Sequence, residues 1–398
     1  MKKKPVVIVG AGLAGLSCAL HLQKKGIPSI ICESQQQVGG RVKSHLNSQG
    51  QVRDIGFQVL LTSYPELRHV LDLNKLNLKK FNSGALVITR EQGSLQKFLL
   101  SNPLQHPEEI FSGLFSNIIP FSDKALVMSL IAKAHLTKTQ EYPGLTTLDF
   151  LKHHGFSERI IELFWRPFLS GVFLEAELSL PADYFLFLLK CFSSGSVAVP
   201  EGGMNQIPQQ MANSLPPEAL RLDSPVSSWT DHSVTLTSGE HIEASVVVAA
   251  IPRQQDKADF HAVTNYYFRT SQPSTSGKWL ILFPRHEGFK INNAISMSSV
   301  SQTYGSDTDH VISVSVLGYE HSVSDIQKEF LDVFPEYHDL ALDEVCTVYK
   351  ALPKAFHNVG FEVHDGVYWC GDQFSSPSIN GALRSGRLTA EHISQWRL

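Results

Sequence analysis

A glycine-rich turn between two apolar runs constrains this 398-residue chain more than any other feature. The segment VVIVGAGLAGLSCALHLQKKGIPSIICES opens on Val6 to Val9, a β-branched run that predicts a buried strand. Gly10, Gly12 and Gly15 follow, and the spacing of Leu13, Leu16 and Leu20 predicts a helix. A second apolar run, Ile27 to Cys32, ends at Glu33 with Ser34 beside it. This is the strand–turn–helix–strand order of a dinucleotide-binding unit. Gly10 permits the turn. Gly12 lets backbone N–H groups, with Leu13 and Ala14 in the first helical turn, approach a pyrophosphate, and the helix N-terminus favours that charge. Gly15 lets the helix pack close to the strand. Glu33 stands about 20 residues on, where an acid accepts hydrogen bonds from an adenosine ribose. An acid there disfavours a 2′-phosphate, so NADP is the poorer fit, while FAD and NAD both stay open.

Bulk properties narrow the class. The length suffices for two domains and a large core. A net charge of -4 provides no broad basic field, so nucleic acid is not an expected partner. Cys18, Cys32, Cys191, Cys346 and Cys370 show no CxxC spacing, which argues for a reducing compartment and against a metal site. Lys2, Lys3 and Lys4 before an apolar run superficially resemble a signal peptide, but the glycines and Glu33 explain that run better. No stretch reaches the roughly 18 apolar residues of a membrane span. The expected location is cytoplasmic, with peripheral contact to a membrane left open.

Along the chain, residues 64 to 200 read as mostly helical. Thr146 is placed to cap a helix through His153 that Gly155 stops, Ser157 to cap one through Phe164, and Pro181 to Phe192 to form another. Short alternating strands follow at Val226 to Trp229, Ser233 to Leu236 and Val246 to Ala250. Further strands are expected at Lys278 to Phe283, Val311 to Leu317 and Val345 to Tyr349, with a helix from Ser322 to Phe334 between the last two. No Ser- or Gly-rich linker separates domains, so the domains are expected to be discontinuous.

The C-terminal segment VYWCGDQFSSPSINGALRSGRLTAEHI carries the second signal. A strand delivers Gly371 and Asp372 to its carboxyl end, where ligands sit in open α/β sheets. Asp372 suits a sugar-alcohol chain. Asn380, Gly381 and Ala382 open a helix whose N-terminus can face the electron-rich end of a flavin. Taken alone, Gly-Asp is an ordinary turn and Asn-Gly-Ala an ordinary helix start.

Together, Gly10-x-Gly12-x-x-Gly15, Glu33, Gly39-Gly40-Arg41, the Gly371-Asp372 tail and SSWTDHSVTLTSGEHIEASVVVAAIP resemble the flavin-containing amine oxidase, protoporphyrinogen oxidase and phytoene desaturase superfamily. DIGFQVLLTSYPE, WRPFLSGVFLEAELS and VPEGGMNQIP resemble its phytoene-desaturase-like members more narrowly. The resemblance implies non-covalent FAD and an α/β fold: a Rossmann-like FAD-binding domain from residues 1–80, 200–250 and 355–398, and an α+β substrate domain from 81–199 and 251–354. It implies that Gly39, Gly40 and Arg41 run beside the pyrophosphate and ring system, that Gly56, Phe57 and Gln58 lie near the flavin, and that Val226 meets adenine through its backbone.

The chemistry so implied is hydride removal from a substrate carbon to flavin N5, with dioxygen or a quinone-like molecule as acceptor. Catalytic residues are not assigned. Lys278, Lys350 and Lys354 are candidates by region for a flavin-facing lysine, against the alternative of surface lysines. Cys370 is expected in the core rather than attached to flavin. Ser376 to Ile379 lacks the aromatic that many amine oxidases place there. Ile110, Phe111, Leu114, Phe115, Ile118, Ile119 and Phe121, with Phe164, Trp165, Phe168 and Phe173, suit either the core of a helical cap or a lipophilic tunnel for an isoprenoid or similar molecule. The competing readings are an amine oxidase, a non-redox flavin isomerase, and a flavin-free binding protein like the Rab GDP-dissociation inhibitors.

Overall fold

The computed structural model describes residues 4–91, 93–101, 119–136, 141–253, 259–319 and 321–395. Of the tunnel candidates, residues 110, 111, 114, 115 and 118 lie outside these.

The first apolar run forms the strand Val6–Val9, buried at every position. A strand buried on both faces sits inside a parallel sheet. It pairs in parallel with Ser29–Cys32 on one side and Val246–Ala249 on the other. The full order is Leu220–Arg221, Ser29–Cys32, Val6–Val9, Val246–Ala249, Val367–Trp369 and the antiparallel edge Glu362–His364. The helices Leu13–Lys24 and Ile379–Gln395 pack together on this sheet. Gly386 allows their close approach, since a Cβ there would strike the Ala14 carbonyl. On the opposite face the three-stranded sheet Val226–Trp229, Ser233–Leu236 and His241–Glu243 packs Val234, Leu236 and Ile242 against Val7, Val9 and Val247.

A second sheet of seven strands runs in the order Ala341–Pro353, Phe260–Thr270, His310–Leu317, Asn293–Ser296, Leu280–Leu282, Gly84–Glu91 and Ser94–Ser101. Alternation along these strands divides the faces. Tyr266, Phe268, Ala294 and Val314 meet Ile326, Phe330 and Val333 of the helix Val323–Val333. Tyr267, Leu282 and Ile295 join the large core that includes the helical layer.

That layer comprises Phe121–Leu136, Thr147–His153, Arg166–Phe173 and Ala182–Ser194. Thr146 Oγ1 caps as expected, accepting from Asp149 N at 3.1 Å. Ser157 caps only Glu158–Ile160. The chain continues through a π turn, Ile161–Trp165, before the next helix. The helical expectation for residues 64–200 is corrected by the strands Leu78–Lys80, Gly84–Glu91 and Ser94–Ser101. Residues 84–91 are recruited by parallel pairing with Leu280–Leu282, a partner nearly 200 residues away that no local window contains. The same cause lengthens the strand expected at 345–349 to Ala341–Pro353, which pairs along Phe260–Thr270.

Candidate functional site

One continuous cavity of about 890 Å³ runs from the glycine turn to the helical cap. At its nucleotide end the chain leaves Val9 and turns at Gly10, whose φ of +103° is costly for any other residue. The first intrahelical bond is Leu16 N to Gly12 O, so the amides of Leu13, Ala14 and Gly15 have no acceptor within the helix. A Cβ at Gly12 would meet nothing within 4 Å: the glycine borders open space. A Cβ at Gly15 would instead strike the Gly10 carbonyl and crowd Ala250. Gly15 is the packing glycine and does not line the cavity.

Glu33 ends its strand buried, at the cavity wall. Its Oε2 accepts from Ala11 N at 2.7 Å, and its Oε1 from Gln35 N at 2.9 Å and Ser34 Oγ at 3.2 Å. These three donors hold the carboxylate in place, and Ser34 serves only there, outside the lining. Val226 is also outside it, though its neighbour Ser224 donates N–H to the Glu33 carbonyl at 2.8 Å.

The middle of the cavity is crossed by an ion pair. Gly39 N donates to Ala11 O at 2.9 Å, which sets Gly40 against Gly12. Arg41 then reaches Asp372 Oδ1 with one nitrogen at 2.5 Å and Ala351 O with another at 2.9 Å. Asp372 is buried and faces the cavity. Gln58 Nε2 donates to Arg41 O at 2.8 Å and Ile55 O at 3.1 Å, while its buried Oε1 has no partner among the described residues. Gly56, Phe57, Gly371 and Ala382 complete this stretch of lining.

Asn380 and Gly381 do not line the cavity. Asn380 Oδ1 accepts from Glu66 N at 3.2 Å, and Gly381 N donates to Ser378 Oγ at 3.0 Å. Ser378 therefore caps the terminal helix and takes one of its orphan amides. Of the three lysines considered, Lys350 lines the cavity, whereas Lys278 and Lys354 are exposed. Cys370 lines it while fully buried, and burial pushes its thiol up to about 12.

Several lining residues had no local signal. Tyr184 OH donates to Pro377 O at 3.4 Å, which brings an aromatic from a distant helix against the Ser376 to Ile379 stretch. Burial raises its phenol well above the ordinary value. Tyr64, Asn293 and Lys124 are further examples, and burial lowers the Lys124 ammonium from its usual value. Beyond Gln58 the lining is dominated by Phe, Leu, Ile and Val side chains, with Phe164, Trp165 and Phe168 among them. The only carboxylates on it among the described residues are Glu33 and Asp372.

The chain of open glycine, uncommitted helix amides, a held acid and an unpaired Gln58 oxygen fits an elongated ligand with phosphates and a polar ring system. Residues 13–394 match the profile of the flavin containing amine oxidoreductase family. The 15-cis-phytoene desaturase of Oncidium hybrid cultivar is 25% identical over 173 residues, 40% of this chain and 29% of that protein. The putrescine oxidase of Kocuria rosea is 26% identical over 264 residues, 62% of this chain and 53% of that protein. The chain thus spans under two thirds of the length of either relative. The fold is that of wild-type putrescine oxidase bound to putrescine, with a TM-score of 0.70 at 17% identity and 98% of both chains covered. FAD is the cofactor implied by these matches. With nearly its whole length matched, the chain belongs to the flavin containing amine oxidoreductase family.

Proposed function

We propose that this protein is an FAD-dependent oxidoreductase that removes hydride from an apolar small molecule, in the manner of a desaturase or oxidase. Bound FAD supplies a two-electron acceptor, with dioxygen or a quinone-like molecule taking the electrons onward. In this reading the amides of Leu13 and Ala14 bind the pyrophosphate, Glu33 holds the ribose, and Arg41 with Asp372 positions the chain between phosphate and ring. Gly56, Phe57, Gln58 and Ala382 border the ring. The nucleotide domain is assigned residues 1–80, 200–250 and 355–398, and the substrate domain 81–199 and 251–354.

The observation that carries the substrate class is the charge of the lining. An ammonium ion held away from water needs a carboxylate partner. Glu33 is engaged by three donors at the nucleotide end, and Asp372 is paired with Arg41. Among the described residues the remaining charged lining groups are the cations Lys124 and Lys350. A lining whose described carboxylates are both committed suits a neutral apolar molecule such as an isoprenoid better than a diamine.

Anaerobic titration of the purified yellow protein tests this. Carotenoid precursors are expected to bleach the flavin absorbance, and putrescine is not. Bleaching by putrescine alone would make the protein an amine oxidase. Conversion of substrate without any net bleaching or acceptor use would make it an isomerase.

A further inference from the structure

The wall of the substrate cavity holds a polar group that an entirely hydrocarbon ligand would leave unpaired. Asn265, Ser315 and Asn293 are cross-strand neighbours on three adjacent strands of the seven-stranded sheet. Of these, Asn293 lines the cavity and is 3% exposed. Its orientation follows from its neighbours. The Pro167 carbonyl can only accept, so the Asn292 atom 3.1 Å from it is the amide nitrogen Nδ2. That same nitrogen lies 3.0 Å from Asn293, so the Asn293 atom facing it is Oδ1. Asn293 Nδ2 therefore points the other way, and no described residue accepts from it. Gly171 makes room for the pair, because a Cβ there would come within 3.1 Å of Asn292 Nδ2 and 3.2 Å of Asn293 Oδ1.

Trp165 belongs to the same lining. It lies two residues before Pro167, lines the cavity, is 2% exposed, and has a buried Nε1 without a partner among the described residues. Its ring is held edge-on by Phe156 and Phe185 and closes the π turn Ile161–Trp165. Turns of this kind recur at functional sites. An unpaired amide N–H facing an apolar cavity is expensive, and a ligand that satisfies Asn293 Nδ2 is favoured over one that cannot.

We propose that the cavity takes an apolar molecule bearing one neutral oxygen function, a carbonyl or hydroxyl, seated on Asn293 Nδ2. This rests on the apolar-substrate reading above and narrows it. This donor is neutral, so it matches a neutral acceptor better than a carboxylate, and it cannot bind an ammonium.

The test compares farnesal with farnesene, an oxygenated and a hydrocarbon isoprenoid of the same skeleton, in equilibrium binding to the flavin-loaded protein by tryptophan quenching and flavin absorbance. Farnesal is expected to bind roughly tenfold or more tightly. Asn293→Leu is expected to erase that preference by weakening farnesal while sparing farnesene. Flavin content and thermal melting report whether that variant folds, and the wild-type comparison stands without it. Equal affinity for the two probes would overturn the inference, the Asn293 amide then being served by water, and would leave the apolar cavity intact. Binding of neither probe would overturn both.

Discussion

Gly12 and Gly15 are three residues apart and serve opposite purposes. Gly12 has an extended backbone with φ -71° and free space where a side chain would be. Gly15 has the Gly10 carbonyl there. Gly12→Glu is therefore expected to fold and to lose flavin, because its carboxylate would fill the approach to the phosphates and repel them. The purified variant should be colourless, with the melting temperature of wild-type apoprotein. Retention of full flavin would remove the turn from the phosphate site. Gly15→Ala should instead cost about 1–3 kcal/mol of stability from overpacking, read by denaturant unfolding of the apoprotein.

At the scale of elements, the terminal helix Ile379–Gln395 is anchored at several points along its length. Ser378 caps it, and Ser17 Oγ reaches across from the first helix to Leu383 O at 2.7 Å. Arg387 forks onto both carboxylate oxygens of buried Glu66 at 2.8 Å. Those bonds raise the Arg387 guanidinium above its ordinary value. Removing one partner strands the other charge in the interior. Arg387→Ala is expected to cost about 2–3 kcal/mol. Hydrogen exchange should show residues 379–395 losing protection before the central strands, and uniform loss across the molecule would contradict this anchoring role. The cavity is bordered by this helix through Ile379 and Ala382, so the same variant should also bind flavin less tightly.

At the scale of the whole molecule, the hairpin Ser44–Leu46 and Val52–Asp54 ties the seven-stranded sheet to the distant segments around Met204 and Tyr304 through buried polar groups. Asp54 accepts from Ser44 Oγ at 2.6 Å, Tyr304 OH at 2.5 Å and Met204 N at 2.9 Å. The neighbouring Arg53, fully buried, donates to Asp343 at 2.6 Å and to Tyr304 O at 2.8 Å. Burial raises the Asp54 carboxyl above the ordinary carboxylate value despite its hydrogen bonds. Between the unfolded value and the raised folded one, the native state binds a proton that the unfolded chain does not. Asp54 thus stabilises the fold below the unfolded value, and that contribution is lost as pH rises through the folded value. Relative to Asp54→Asn, the wild type should gain stability as pH falls from 7 towards 4, by at most about 1.4 kcal/mol per pH unit. Urea unfolding at stepped pH reads the difference. A constant difference, or one of opposite slope, would contradict the assignment.

The nucleotide end of the molecule is written locally. Val6 to Glu33 contains its own strands, turn, helix and acid within one short stretch, and the physics of each is satisfied by near neighbours. A dinucleotide site could therefore be read from Gly10, Gly12 and Glu33 alone, while FAD and the family followed from their combination with Gly39-Gly40-Arg41 and the Gly371-Asp372 tail. The substrate end had no such local form. Residues 84–91 became a strand because Leu280–Leu282 lay beside them, and Tyr184, Asn293 and Trp165 became cavity wall because three separate elements closed around one space. Hydrogen bonding between distant strands and burial in a shared cavity are properties of pairs of segments. The chain order alone does not state which segments meet, and the charged groups of the cavity and the unpaired Asn293 amide came into view only once they had.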